Sequence, residues 1–275
     1  TKAIIVVNLF GHAAELKKLR KIADDNNIYL IEDNAQSLLA SSDDILCGNF
    51  GHIGVFSLNR HKHIHCGEGG ICVTNDNEIG KNLILIRNHG ENAGNIFNEE
   101  ISRKFIGYNF RMTEVCAAIA SSQLMKVDYL VDRCEKIGLS LSKRVEDFDC
   151  IQVPVIKKNS RHVFFSWAIR YFEEKNGVPR NEIFKALRKE NVPINVGYVE
   201  PLYKLPLFNK NLGNNLKEYN HRVYSQDKNK CPVTERLYNR ELMSIQIPGL
   251  DFSEEDIGFV YKSFKKVLSD YKKFI

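Results

Sequence analysis

The sequence predicts an α/β fold, in which a mainly parallel sheet flanked by helices is followed by a smaller α+β region. Three observations carry this expectation. Short β-prone runs alternate with helical stretches from Ala3 to Arg87. The run Tyr29-Leu30-Ile31 is apolar without alternation, as in a strand covered on both faces, and it ends in Glu32-Asp33-Asn34. One long helical stretch, Met112 to Phe148, separates this alternation from a mixed tail punctuated by prolines. We therefore expect a larger domain over 1–135 and a smaller C-terminal one over 136–275.

Residues 2–7 read as a strand, with Asn8-Leu9-Phe10-Gly11 as a turn at its tip. Ala13 to Asn26 places Leu16, Leu19, Ile22 and Ala23 at helical spacing. Ile28 to Ile31 is the next strand, and the β-α-β unit so formed crosses over right-handed. Ser37 to Cys47 reads as a loop or short helix. Ile53 to Leu58 and Gly70 to Thr74 are strands around a turn that carries Lys62. Asn77 to Arg87 is a helix, and His89 to Gly107 is polar and irregular.

The stretch from Met112 to Phe148 has Val115, Ile119, Leu124, Val127, Leu130 and Val131 as its apolar positions and reads as one helix running between the domains. After Pro154 come a strand over Val163–Phe172, a helix over Arg180–Glu190 and a break at Val192-Pro193. A loop over Glu200–Asn211, a helix opening at Cys231-Pro232 and a short strand over Ile245–Ile247 follow. The closing helix, Ser253–Tyr271, has Ser253 as N-cap and acidic residues in its first turn.

Composition narrows the function classes. The chain has 275 residues, of which 43% are hydrophobic and 27% charged, enough for one or two packed domains. The net charge of +5 is spread out rather than gathered into a stripe, which disfavours nucleic acid as a partner. No apolar run approaches the roughly 20 residues of a membrane span, and no signal peptide is visible. The seven cysteines are scattered without CxxC spacing and read as reduced thiols of a cytoplasmic protein.

The chemistry gathers between Tyr29 and Asn75. A carboxylate at a strand tip and a Lys on a following turn, here Asp33 and Lys62, are the minimum kit for pyridoxal phosphate. The amine forms a Schiff base with the cofactor aldehyde, and the carboxylate keeps the pyridinium nitrogen protonated. Taken alone, Lys62 reads first as a surface lysine on a turn, Asp33 reads also as a capping or turn residue, and Ser57 reads equally as an ordinary strand serine. His61, His63, His65 and Cys66 raise a zinc reading. In an extended segment the three histidines would share a face. Three such residues rarely close a tetrahedral site alone, so no metal is expected. Gly67-Glu68-Gly69-Gly70 lacks the Lys-Ser/Thr of a phosphate loop and reads as a tight turn.

Glu32-Asp33-Asn34-Ala35-Gln36, Gly51-His52-Ile53-Gly54-Val55-Phe56-Ser57, Lys62, Gly67-Glu68-Gly69-Gly70 and Val73-Thr74-Asn75-Asp76 stand in a distinctive order and spacing. Leu85-Ile86-Arg87-Asn88-His89-Gly90 and Gly107-Tyr108-Asn109-Phe110-Arg111-Met112-Thr113-Glu114 extend the series. Together they resemble the DegT/DnrJ/StrS sugar aminotransferases, and the resemblance covers nearly the whole chain. It implies the type I fold of pyridoxal-phosphate-dependent transferases. It implies Lys62 as the catalytic amine, with Asp33, Gln36, Ser57 and Asn109 as cofactor contacts: Gln36 at the ring's 3-hydroxyl side, Ser57 at the phosphate, and Asn109 reaching the phosphate of a neighbouring subunit's site.

The same resemblance implies a homodimer that moves an amino group, from glutamate, to a nucleotide-linked keto-deoxysugar in surface-polysaccharide or amino-sugar biosynthesis. Some relatives are dehydratases with His at the lysine position, and a sugar dehydratase or a non-catalytic relative is the alternative reading. Positions 60, 61 and 65 are more basic here than is common in the family. Members carry on the order of a hundred residues before the point matching Thr1, about the missing part of a domain, so the sequence reads as an N-terminally truncated fragment.

Overall fold

A computed structural model describes residues 1–92, 106–205 and 231–270. The chain divides into two compact units, the first comprising Thr1–Lys136, Ile156–Phe165 and Ile247–Leu250. Its main sheet has the order β1-β2-β5-β6, with β1 Ala3–Val7, β2 Tyr29–Asp33, β5 Ile53–Ser57 and β6 Gly70–Val73. β1, β2 and β5 run parallel, in a register that pairs Val7 with Asp33 and Asp33 with Val55. β6 returns antiparallel to β5. The parallel register brings the C-terminal tips of three strands to one end, where open α/β sheets bind their ligands.

Helix α1 spans Leu16–Asp25 and buries Leu16 and Ala23, while Ile22 faces solvent. It starts later than the apolar spacing suggests, because the Ala14 N–H is taken by Asn8 Oδ1 at 2.8 Å. The segment expected as a loop or helix over 37–47 is instead a hairpin of β3 (Ser41–Ser42) and β4 (Ile45–Leu46), which pairs with β8 (Ser160–Arg161). Its two turn residues, Asp43 and Asp44, both have positive φ, at 48° and 63°. That is the backbone twist a two-residue hairpin requires.

Helix α2 covers Asn77–Arg87, and the Asp76 side chain accepts the N–H groups of Glu78 and Ile79. The single helix expected over 112–148 is two, α3 (Glu114–Leu124) and α4 (Val127–Val145). The step of five from Ile119 to Leu124 drops out of helical phase, and the ladder breaks where the Lys126 N–H bonds to Gln123 O at 3.0 Å. α4 carries the chain out of the first unit after Lys136. Most of 89–107 and half of 200–211, which read as loops, lie outside the described residues.

The second unit comprises Ile137–Val155, Ser166–Gln246 and Asp251–Ile275. Its sheet is antiparallel, in the order β10-β11-β9-β7: β7 Ile151–Gln152, β9 Ser166–Tyr171, β10 Asn195–Val196, β11 Leu242–Gln246. Helices α5 (Glu173–Asn176), α6 (Arg180–Lys189), α7 (Pro232–Arg236) and α8 (Glu254–Asp270) complete it. Trp167, Ile169 and Tyr171 of β9, Met243 and Ile245 of β11, Leu187 of α6 and Phe264 of α8 are fully buried. The Trp167 indole N–H donates to Ser142 Oγ at 3.0 Å, which satisfies the one polar atom of a buried ring.

β9 opens at Ser166 rather than Val163. Phe164 has a positive φ of 45°, and the Val163 N–H bonds to Gly11 O at 2.9 Å, which diverts residues 163–165 from the strand. Pro232 opens α7 as expected. Ser253 caps α8: its Oγ accepts the Asp256 N–H at 3.2 Å, and its own N–H donates to Asp256 Oδ2 at 2.8 Å. Among the described residues no helix is long and apolar enough to cross a membrane.

Candidate active site

Asp33 is the last residue of β2, at the end of the sheet where the parallel strands finish. Its Oδ1 accepts the Ala35 N–H at 2.9 Å, and among the described residues its second oxygen takes no hydrogen bond. Lys62 lies on the turn between β5 and β6. That turn is closed by Leu58 N–H to Gly69 O at 2.9 Å, Arg60 N–H to Gly67 O at 2.8 Å and Cys66 N–H to Leu58 O at 3.0 Å. Asn59 adds a side-chain strut by donating to Glu68 Oε1 at 2.8 Å. The reading of Gly67–Gly70 as a turn is therefore met.

The Lys62 ammonium stands 4.7 Å from the centre of the Phe165 ring, a cation–π distance. Burial lowers the pKa of Lys62, and the nearby Asp33 carboxylate opposes that shift. Among the described residues the ammonium makes no ion pair. The result is a half-buried amine, easier to deprotonate than a surface lysine, with a carboxylate close enough for its charge to be felt.

Ser57 closes β5, and its Oγ accepts the Asn59 N–H at 3.2 Å, which aims the hydroxyl proton elsewhere. Gln36 is buried, and its Oε1 accepts the Phe10 N–H at 2.7 Å, tying the β1–α1 turn to the strand tips. Phe10 and Phe165 escape a reading of the sequence. The run Val163-Phe164-Phe165 passes for the start of an apolar strand, and nothing in composition marks Phe165 as the floor beneath the lysine. Asn109 is exposed, and a lone β-bridge to Asn88 holds its backbone. Arg111 donates to Asn88 Oδ1 on the same segment. Among the described residues no hydrogen bond joins Asn109 to Lys62.

The histidines divide by burial. His61 and His65 are exposed, whereas His63 is buried and its Nε2 donates to Val163 O at 2.9 Å. The segment is a turn and not a strand, so the three do not share a face. Among the described residues no group of three His, Cys, Asp or Glu side chains is placed to hold a metal ion. His162 lies edge-on to His12, with ring centres 5.2 Å apart, and its Nδ1 accepts the Phe164 N–H at 3.0 Å.

Burial pushes His63 down to about 4, and burial with the neighbouring His12 pushes His162 down to about 3. Both groups are neutral in the folded chain, whereas the unfolded chain protonates them near the ordinary 6.5. Stability is therefore full above that value and falls as the pH drops through it towards 4, by about 3 kcal/mol from His63 alone. Chemical denaturation along this pH range should show the midpoint falling, and His63→Gln should flatten the fall. A constant midpoint would contradict the assignment of these two histidines as buried and neutral.

The profile of the DegT/DnrJ/EryC1/StrS aminotransferase family matches residues 1–264. The chain belongs to this family. It is 29% identical over 276 residues to an uncharacterised protein of Methanocaldococcus jannaschii, covering 98% of the chain and 68% of that protein. It is 27% identical to the GDP-perosamine synthase of Escherichia coli O157:H7, covering 98% of the chain and 66% of the synthase. A DegT/DnrJ/EryC1/StrS aminotransferase from Brucella abortus superposes with a TM-score of 0.79 at 27% identity, over 98% of this chain and 65% of that one. The chain thus spans about two thirds of the length of these relatives.

Members of the family have the type I fold and are pyridoxal-phosphate-dependent in general. The residues present fit that cofactor. A half-buried amine accompanies a carboxylate with one uncommitted oxygen, and the Ser57 hydroxyl, whose oxygen is already bonded, keeps a proton to donate to a phosphate.

Proposed function

We propose that this chain carries the catalytic lysine of an aminotransferase that moves an amino group, taken from glutamate, onto a keto group of a nucleotide-linked deoxysugar. The observation that carries the reading is the half-buried Lys62 amine beside the Asp33 carboxylate at the tips of the parallel strands. The name GDP-perosamine synthase, borne by a relative matched over 98% of this chain, supports a nucleotide sugar as the substrate class. Lysine rather than histidine at position 62 favours transamination over dehydration.

In this reading Lys62 Nζ would hold the pyridoxal phosphate, and its neutral amine would take and return the proton at the substrate carbon. The cofactor supplies an electron sink for that carbon. Asp33 holds a proton on the ring nitrogen through its uncommitted oxygen, Gln36 orients the ring's hydroxyl side and Ser57 donates to the phosphate. Phe165 and the turn around Lys62 exclude water from one side of the amine, which keeps its pKa down.

Asn109 serves the phosphate of a second subunit's site, a role its exposure on its own chain leaves open. A homodimer would also cover Ile106, Phe110, Val115 and Met125, which are 88%, 65%, 71% and 87% exposed. The full-length protein should sediment as a dimer, and an active monomer would remove this role of Asn109. The chemistry is tested by incubating the full-length protein with pyridoxal phosphate, glutamate and a panel of nucleotide 4-keto sugars. Release of 2-oxoglutarate with one of the sugars is the expected result. Cofactor binding without release for any sugar would overturn transamination.

A further inference from the structure

We propose that Glu32 is a positioning residue for the catalytic pair, acting through an anion cradle inside the sheet that fixes where the Asp33 tip stands relative to the Lys62 turn. The inference rests on the reading of Asp33 and Lys62 given above.

Glu32 is fully buried in β2, immediately before Asp33. A carboxylate in such a place must find hydrogen bonds or neutralise. Its Oε1 accepts the N–H groups of Phe50 at 2.8 Å and Gly51 at 2.6 Å. Its Oε2 accepts the N–H of Gly48 at 2.8 Å and a longer bond from Asn8 Nδ2 at 3.4 Å. The loop entering β5 therefore wraps its backbone donors around one side chain of β2, and β5 leads directly to Ser57 and the Lys62 turn.

The loop is shaped for this. Gly48 has a φ of +98°, and a Cβ there would come within 2.6 Å of the Phe56 ring. A Cβ on Gly51 would come within 2.8 Å of Leu30 O and 3.2 Å of the Glu32 side chain itself. Only glycine lets the backbone approach so closely at these two points.

The network continues to the other strand tips. Asn8, at the end of β1, donates to Asn34 Oδ1 at 2.7 Å and accepts the Ala14 N–H at 2.8 Å. Ser37 Oγ also donates to Asn34 Oδ1, at 3.1 Å. Asn8, Glu32, Asn34 and Ser37 are all essentially inaccessible to water. Asp33 and Gln36, two of the residues proposed above to contact the cofactor, sit in sequence between members of this buried group. A one-residue change of register is thereby excluded, and the separation of Asp33 from the Lys62 turn is set by backbone donors rather than by a mobile loop.

Glu32→Gln keeps the shape but places an NH2 among backbone N–H groups, and Glu32→Asp keeps the charge but withdraws it by one methylene. Gly51→Ala presses on the cradle from the other side without replacing a titratable group. The first readout needs no cofactor: the pH midpoint of Lys62 acylation in the apo protein, followed by peptide mass spectrometry. The second is amide exchange at Phe50 and Gly51, and the third is the visible absorbance of the full-length protein titrated with pyridoxal phosphate.

Glu32→Gln and Gly51→Ala are expected to speed exchange at Phe50 and Gly51 at least tenfold. Both should displace the Lys62 midpoint and weaken pyridoxal phosphate at least tenfold, with Glu32→Asp partly restoring each. Faster exchange with an unmoved Lys62 midpoint and unchanged cofactor affinity would make Glu32 structural only and overturn the inference. A variant too unstable to fold is replaced by Gly51→Ala under the same criteria. Should wild-type protein show no cofactor absorbance, the aminotransferase reading fails, while the Lys62 midpoint still decides the role of Glu32.

Discussion

Lys62→Arg is expected to reduce transamination by more than about a thousandfold in the full-length protein, at the upper end of what one acid–base and nucleophilic group contributes. The substitution keeps a cation on the turn, able to stand over Phe165 as the ammonium does at 4.7 Å. It removes two capacities at once. A guanidinium does not condense with an aldehyde, and with a pKa above about 12 it does not release its proton to become a base. Folding should be preserved, since the native ammonium makes no ion pair among the described residues. Circular dichroism and the unfolding midpoint check that point. Loss of the visible cofactor band together with loss of 2-oxoglutarate release is the expected pair of results. If Lys62→Arg retains turnover within tenfold of wild type, another amine does the work and the site is misplaced.

The sheet and its tip were legible in the sequence for a physical reason. The apolar run Tyr29-Leu30-Ile31 ends at Asp33, and that polar end marked the place where ligands meet the sheet. The cover it implied on both faces is not found, because β2 buries Leu30 and Glu32 on one face and leaves Tyr29 54% exposed on the other. The Lys62 turn was legible through its glycines. The cap of α8 was visible because Ser253 is a residue type that satisfies free N–H groups.

What escaped depends on long-range placement. The Asp43-Asp44 hairpin lacks the Asn-Gly or Asp-Gly that announces such turns. The break between α3 and α4 carries no Gly or Pro, and only the phase step from Ile119 to Leu124 signals it. Phe165 lies beneath Lys62 because residues 156–165 return to the first unit, a topology no local pattern encodes. Glu32 did leave a trace. A charged residue at the end of a buried strand needs partners, and three glycines follow at 48, 51 and 54.

Asp33→Asn is expected to be the second most damaging single change, and its two effects have opposite signs. The amide keeps the shape and can still accept the Ala35 N–H through Oδ1, a bond now 2.9 Å long, so the β2 tip should hold its conformation. The lost charge acts first on the lysine. Burial lowers the Lys62 pKa while the Asp33 carboxylate holds it up, so removing the carboxylate should lower it further. In the apo protein the pH midpoint of Lys62 acylation should therefore move down, and the free amine should become a more available nucleophile at neutral pH. The second effect is on the ring nitrogen, whose proton loses its anionic acceptor. A hydrogen bond to a charged partner is worth about 1.5–3 kcal/mol, or about one to two decades of cofactor affinity, and the electron sink weakens in addition. Activity should thus fall by two or more orders of magnitude although the lysine is easier to deprotonate. That combination separates the proposed role from simple disruption, in which the lysine would lose its burial and its midpoint would rise towards that of a surface amine. A downward midpoint with activity intact would show that the carboxylate tunes Lys62 but holds no proton on a cofactor. An unmoved midpoint would show that Asp33 and Lys62 do not form a pair at all.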